Sequence, residues 1–517
     1  MTKRTFVYGA TILLGANLIN RLLGFAYQYL IMNNIGGEAY GLFNMVFPIY
    51  MLALVITTAG IPLAIAKMVS EEISLGHTLH AQAIFRLALW LLSITGATVS
   101  IILYFIGPHM AQQIFPDPRV LNVFLICTPA IFIVSVSSVF RGYFQGLQNM
   151  VPTAISQICE QIIRVVVGYT ASLRLLDQGV EWAAAGLALG MLAGELIGLI
   201  AIIFQYQRHQ RHKPIITNNS QPPIYSSRQI LSRLWHLASP VTVGRLLSTG
   251  LSSLDAIIIP MRLQVAGYSA REAVTLFGQL GGSAFTLLTF PSVFTFALAT
   301  SLVPAISEAS IRRQFHTVRT RSAEAIRLTI IIGIPCLIIL FYFSRPLTAL
   351  FNSTEIASIL RILAIGGIFS YIQQTTTGIL QGLGKVQVPV LHSIIAAMIR
   401  FPVLIYLTGL PQWGLKGTAC SYVLSFIIMA SLNMIAISRY TGMPLDLQRF
   451  VLQPFSGGIG MLLVFQFLDP FLGGHITGYI IEFFIGIAVY NIILFINGGV
   501  TFADLKRLPW IGKFISI

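Results

Sequence analysis

Arg21, Arg164, Arg245 and Arg400 fall near the middle of stretches that otherwise read as membrane-spanning helices. A guanidinium at the bilayer centre costs about 3 kcal/mol on insertion scales. It is tolerated there when it faces water or a partner, and its planar fork of donors then fits phosphate oxygens. Four such groups point to a polar, positive cavity inside a helical bundle and to transport of an anionic substrate. They do not point to a soluble active site.

The four are not equivalent. Arg21 lies in Asn20-Arg-Leu-Leu-Gly-Phe-Ala26, in a span without an acid. Arg245 lies ten residues before Asp255, about 15 Å along a helix, too far for a local pair. Arg400 has no acid in its own span. These three either line a cavity and bind an anion or tie helices together through carbonyls or acids elsewhere. Arg164 follows Glu160 by four residues, the favoured order for a helical ion pair, so it is either a substrate ligand or half of a structural bridge. Glu195, Asp255, Glu308 and Glu482 are the other acids at depth. The candidate substrate-binding set is therefore Arg21, Arg245, Arg400 and Arg164. Glu160, Glu195 and Asp255 are the candidate charge partners or ion-coupling groups.

Other chemistry is not indicated. The sequence lacks a nucleophile elbow, a phosphate loop and a zincin motif, so no catalytic residue and no cofactor are expected. Cys127, Cys159, Cys336 and Cys420 are scattered through apolar segments, which suggests neither a metal site nor a disulfide framework.

The elements that must hold these residues follow from composition. The chain has 517 residues, of which 56% are hydrophobic and only 9% charged, with a mean hydropathy of +0.81. Such a chain is an all-α polytopic membrane protein. Apolar runs predict fourteen spans, at roughly 6–31, 40–66, 87–107, 120–140, 151–173, 183–205, 236–261, 276–306, 328–344, 362–382, 388–408, 417–438, 450–471 and 476–497. The net charge of +15 is not a nucleic-acid footprint, and no nucleic-acid partner is expected. With the N-terminus inside, the inner side collects 21 of the 32 Lys and Arg, including Lys67, Arg86 and Arg141, and the outer side 7. That asymmetry predicts a multi-pass protein of the cytoplasmic membrane with both termini cytoplasmic. The run from Arg208 to Lys213 either fixes this topology or touches anionic headgroups.

Two halves are visible. Gly142-Tyr-Phe-Gln-Gly-Leu147 matches Gly378-Ile-Leu-Gln-Gly-Leu383, and each is followed by a proline, Pro152 or Pro389, that opens the next helix. Trp182 with Gly186 is echoed by Trp413 with Gly417, and Arg164 aligns with Arg400. The predicted organisation is an N-lobe over 1–205, a basic cytoplasmic linker over 206–235, a C-lobe over 236–440 and an added helix pair with a cytoplasmic tail over 441–517. Six spans per half make the repeat parallel, and carriers of this kind hold substrate between their halves. The G-x-x-x-G spacing at Gly142 and Gly146, and again at Gly378 and Gly382, predicts close helix approach.

These segments carry a resemblance. Together with Gly194-Glu195, Leu302-Val-Pro-Ala-Ile-Ser-Glu308 and Asp504-Leu-Lys-Arg-Leu-Pro509, they make the chain resemble the multidrug/oligosaccharidyl-lipid/polysaccharide exporter superfamily over nearly its whole length. Within that superfamily it is similar to sporulation members related to the MurJ-type lipid II flippases. The resemblance implies fourteen helices in two lobes, a cationic central cavity, and a groove for a polyprenyl tail formed with the last two helices. Arg21 matches the arginine of the MurJ-type R-x-x-G-F-A segment, but Tyr27-Gln28 stands where those proteins carry Arg-Asp. The implied substrate is an undecaprenyl-diphosphate-linked peptidoglycan precursor for spore cortex, handled by a monomer in contact with membrane lipid. Three alternatives remain: an exporter of another polyprenyl-linked polysaccharide unit, a cation-coupled drug antiporter, and a membrane glycosyltransferase or polymerase. Four buried arginines disfavour cationic drugs, and short outer loops disfavour the last.

Overall fold

The computed structural model describes residues 3–58, 60–211, 226–443 and 452–499. Among these residues there are only helices and connections, without a strand. Backbone groups in a bilayer must find partners inside their own segment, and a helix supplies them. Among the described residues, eleven helical segments are long and apolar enough to cross a membrane.

Two compact units divide the chain at Ser283 and Ala284. The first contains α1 (Lys3–Asn34), α2 (Gly37–Thr58), α3 (Ile61–Ser74), α4 (Thr78–Gln113), α5 (Leu121–Gly146), α6 (Val151–Leu175), α7 (Val180–Arg211), α8 (Ser227–Val265) and α9 (Ala270–Gln279). Here α6 packs along α7, α4 and α7 pack on α5, and α8 and α9 both pack on α2. The apolar faces of α3, α4 and α5 meet around Phe85, whose ring lies 4.8 Å from Tyr206 and 4.9 Å from Tyr143.

The second unit contains α10 (Thr286–Thr289), α11 (Ser292–Ile311), α12 (Phe315–Tyr342), α13 (Ser344–Ala349), α14 (Ala357–Gly382), α15 (Gln387–Thr408), α16 (Leu415–Thr441), α17 (Gln453–Leu472) and α18 (Ile476–Ile496). Here α14 packs on α11, α12 and α16, while α17 and α18 form a pair against α12. The Tyr490 hydroxyl fastens α18 to α12 by donating to the Ile331 carbonyl at 2.8 Å.

Two expected spans are broken. The one over 40–66 divides into α2 and α3 at Gly60 and Pro62. The Gly60 N–H donates to the Thr242 hydroxyl at 3.0 Å, and a Cβ on Gly60 would lie 2.5 Å from the Ala238 carbonyl oxygen. The break therefore lets α8 sit against backbone. The span over 276–306 divides at Pro291, where α11 begins, after a π-helical segment, Leu280–Phe285. Other helices outrun the apolar runs. Lys67, Arg86 and Arg141, expected in loops, lie on α3, α4 and α5, because a helix can continue past the last apolar residue while its side chains reach water or a partner. Of the basic run, Arg208 to Arg211 closes α7, while 212–225 and the Asp504–Pro509 segment lie outside the described residues.

The repeated residues do the same work in each unit. In the first, a Cβ on Gly142 or Gly146 would lie 2.7 Å or 2.8 Å from a carbonyl oxygen of α3. In the second, one on Gly378 or Gly382 would lie 3.0 Å from a carbonyl oxygen of α11. Close helix approach at both pairs is thus borne out. Gly186 likewise brings α7 against Ser172 of α6, and Gly417 brings α16 against Leu407 of α15.

Candidate functional site

The polar heart of the first unit is built by glycine. Gly186, Gly190, Gly194 and Gly198 fall every fourth residue on α7 and so form one stripe. A Cβ on Gly190 would sit 2.2 Å from the Gly168 Cα, and one on Gly194 would sit 2.7 Å from the Glu160 carbonyl oxygen. The stripe lets α6 and α7 touch backbone to backbone, as small residues do between helices in lipid. That contact brings Glu195 to Arg164.

Four charges meet there. Arg164 donates through Nη2 to Glu160 Oε1 at 2.6 Å and to Glu195 Oε1 at 2.8 Å. Arg141 of α5 donates to Glu160 Oε2 at 2.7 Å. Both carboxylates are buried, and the two guanidiniums are about a quarter exposed. Two positive and two negative groups sum to zero. Short charge-assisted bonds offset desolvation only when geometry is this close. Arg164 is therefore half of a bridge, as its i,i+4 spacing allowed, with Glu195 as a second partner.

The other candidates have different surroundings. Arg21 is half-buried on α1, and α1 packs on α6, where Gly24 faces Gln161 and Tyr27 faces Gly168. Gln28, one of the two residues that depart from the MurJ-type pattern, is buried. Arg245 lies on α8, one turn beyond the Thr242 that receives the Gly60 N–H. It is exposed and has no ion-pair partner among the described residues. Asp255 is buried lower on the same helix. In the second unit Arg400 is buried, with its guanidinium carbon 4.6 Å from the Phe401 ring centroid and 4.7 Å from that of Tyr422. The sites related by the repeat thus solve one problem in two ways. Arg164 is held by carboxylates and Arg400 by aromatic faces.

Two features escaped the sequence reading. Arg141 belongs to the charge network, yet it sits one residue past the expected span. Glu72, His77 and His80 converge at the corner between α3 and α4, with donor atoms within 4.8 Å of one another. Their only sequence signal is the spacing E-x4-H-x2-H. It crosses a turn at Gly76, where φ is +83°.

Long apolar helices, broken spans and ionised groups inside the bundle define a polytopic membrane protein with a transporter fold. The chain belongs to the family described as "Polysaccharide biosynthesis protein", which residues 6–310 match; residues 280–406 also match the MatE family. Among its relatives is stage V sporulation protein B of Bacillus subtilis (strain 168), 29% identical over 526 residues that cover all of both chains. Another is the lipid II flippase MurJ of the same organism, 24% identical over 84% of this chain and 82% of the relative. Among solved structures, lipid II flippase MurJ in an inward closed conformation aligns with a TM-score of 0.70 at 18% identity, covering 92% of this chain and 96% of that one. The fold is therefore that of MurJ-like and MATE-like transporters.

Proposed function

We propose that this protein is a flippase or exporter of lipid-linked saccharide, and that its substrate is an undecaprenyl-diphosphate-linked peptidoglycan precursor used for spore cortex. The observation that carries the reading is Arg245. It is an exposed guanidinium inside a long helix of a polysaccharide-family membrane protein, and no described residue forms an ion pair with it. Facing lipid it would cost about 3 kcal/mol; facing a diphosphate it gains charge-assisted, bidentate bonds. Arg21 and Arg400 are the other two ligands in this reading, and Arg164 is kept out of it by its two carboxylates. The family and the sporulation and flippase relatives support the substrate class. Transport proceeds by alternating access, without a covalent step, and both termini are cytoplasmic.

Complementation of a strain lacking the protein tests this, with membrane levels checked by immunoblot. Ala at Arg21, Arg245 or Arg400 should abolish function at normal abundance. Arg21→Lys should be impaired less than Arg21→Ala, because it keeps the charge and loses the fork. If all three Ala variants express normally and restore function, the anion-binding reading is wrong. The precursor that accumulates on the inner leaflet in the deletion strain identifies the saccharide. An exopolysaccharide unit there, in place of a peptidoglycan precursor, would select the alternative substrate.

A further inference from the structure

We propose that Glu72, His77 and His80 form a binding site for a divalent transition metal of the zinc class, independent of the transport reading. Glu72, in the last turn of α3, is 2% exposed; His80, in the first turn of α4, is equally buried. His77 is the residue that precedes α4. Gly76 makes the corner, and the His77 N–H closes it on the Glu72 carbonyl at 2.9 Å. The turn thereby aims both rings at one oxygen. The Nδ1 of His77 lies 3.2 Å from Glu72 Oε2, and the Nδ1 of His80 lies 3.1 Å from the same atom.

Those distances fit two chemistries, an ordinary N–H···O hydrogen bond of up to about 3.2 Å and a shared metal ion. Charge-assisted hydrogen bonds to carboxylate are short, about 2.7–2.9 Å, and the arginine–glutamate bonds of this molecule's α6–α7 network obey that, at 2.6–2.8 Å. The histidine contacts are longer. Ligands about 2.0–2.1 Å from a tetrahedral zinc stand roughly 3.3 Å from each other, close to both histidine-to-carboxylate distances, and all three ligand atoms lie within 4.8 Å of one another. The donor set is also appropriate, since two imidazoles and one carboxylate leave a fourth position for water. His77 is about a quarter exposed, which gives that position an opening to solvent.

The surroundings fit a cation. Arg233 of α8 pairs with Glu71 and lies 3.7 Å from the remaining oxygen of Glu72. Glu71, Glu72 and Arg233 together carry one net negative charge, which favours a divalent ion. The guanidinium also steadies the ligand carboxylate from outside, as second-sphere groups do. Bound metal would clip α3 to the start of α4. This departs from the absence of a metal site expected from the sequence.

The test uses the full chain, purified in detergent with a tag that lacks histidine, stripped with chelator and dialysed against zinc at micromolar free concentration. Mass spectrometry of the metal should find about one zinc per chain, and His77→Gln should weaken retention roughly tenfold or more. Equal zinc in the wild type and His77→Gln overturns the proposal, as does failure of the wild type to retain it. Cobalt loaded into the wild type needs no variant. A tetrahedral visible absorption spectrum is expected, and its absence is equally decisive against the site.

Discussion

The charge network of α5, α6 and α7 predicts which pairs of substitutions compensate. Glu160→Gln removes the acceptor of two bonds, at 2.6 and 2.7 Å. Arg164 keeps Glu195, but Arg141 loses the carboxylate that neutralised it. Stranding a desolvated charge costs about 3 kcal/mol. Adding Arg141→Gln removes the stranded cation and leaves the 2.8 Å pair of Arg164 and Glu195 intact and neutral, so the double variant should cost only about 1–2 kcal/mol. Adding Arg164→Gln instead strands both Arg141 and Glu195, and the cost should rise to about 5 kcal/mol. The two double variants carry the same net charge and differ by one guanidinium position, yet they should differ by roughly 3 kcal/mol. Equilibrium unfolding in mixed detergent micelles, followed by tryptophan fluorescence, measures the gap. If Glu160→Gln/Arg164→Gln proves as stable as Glu160→Gln/Arg141→Gln, the network is not the unit described.

Four further outcomes are expected. Gly190→Ala should push α6 from α7, since its Cβ would meet backbone at 2.2 Å; a loss of about 2 kcal/mol or more in the same assay is expected, and an unchanged midpoint would argue against the close contact. Arg271→Ala removes one of the two guanidiniums on Glu38, but Arg271 is 73% exposed, so the effect should stay below about 1 kcal/mol and vanish in high salt. Glu272 is held below the usual carboxylate range by its hydrogen bonds with the backbone and hydroxyl of Ser269; that stabilisation is present above the unfolded pKa of about 4.3 and disappears as pH falls through the lower folded value. An acid titration of stability in which Glu272→Gln behaves like the wild type would contradict it. A cysteine introduced at Asn219 should react with impermeant reagent only from the cytoplasmic side, and labelling from outside would reverse the topology.

Much of this was legible because membrane helices have to be apolar and about twenty residues long. Each of the fourteen expected spans falls on one helix or on consecutive shorter ones among the described residues. The pair Glu160–Arg164 was readable because both partners lie on one helix. Glu195 was a candidate charge partner from the sequence, but which arginine it meets was not readable, because that needs α7 pressed to backbone contact along four glycines, a tertiary fact. Arg141 was lost at a boundary, where hydropathy stops one residue before the helix gains a polar role. Pro62 and Pro291 stand at the two breaks, but whether a proline bends or divides a span depends on what receives the freed backbone group, and the Thr242 that receives the Gly60 N–H is 182 residues away. The five-residue step from Glu72 to His77 fits neither helical nor strand spacing because a turn intervenes.

The glycine stripe on α7 also bears on how the chain is made. The segment forming α6 carries Glu160, Arg164 and Arg174 and is not among the eleven apolar enough to cross a membrane unaided. Glu160 and Arg164, near its centre, each oppose partition from the translocon by about 2.5–3.5 kcal/mol. Glu160 on α6 already pairs with Arg164, but the second carboxylate, Glu195, and the fitting surface are synthesised only afterwards, as α7. Biogenesis should therefore wait at this point, with α6 held in a protected site until α7 emerges and the two leave for the lipid as one hairpin. A nascent chain truncated after Leu175 should fail to integrate its last helix, whereas one extended through Arg211 should integrate both.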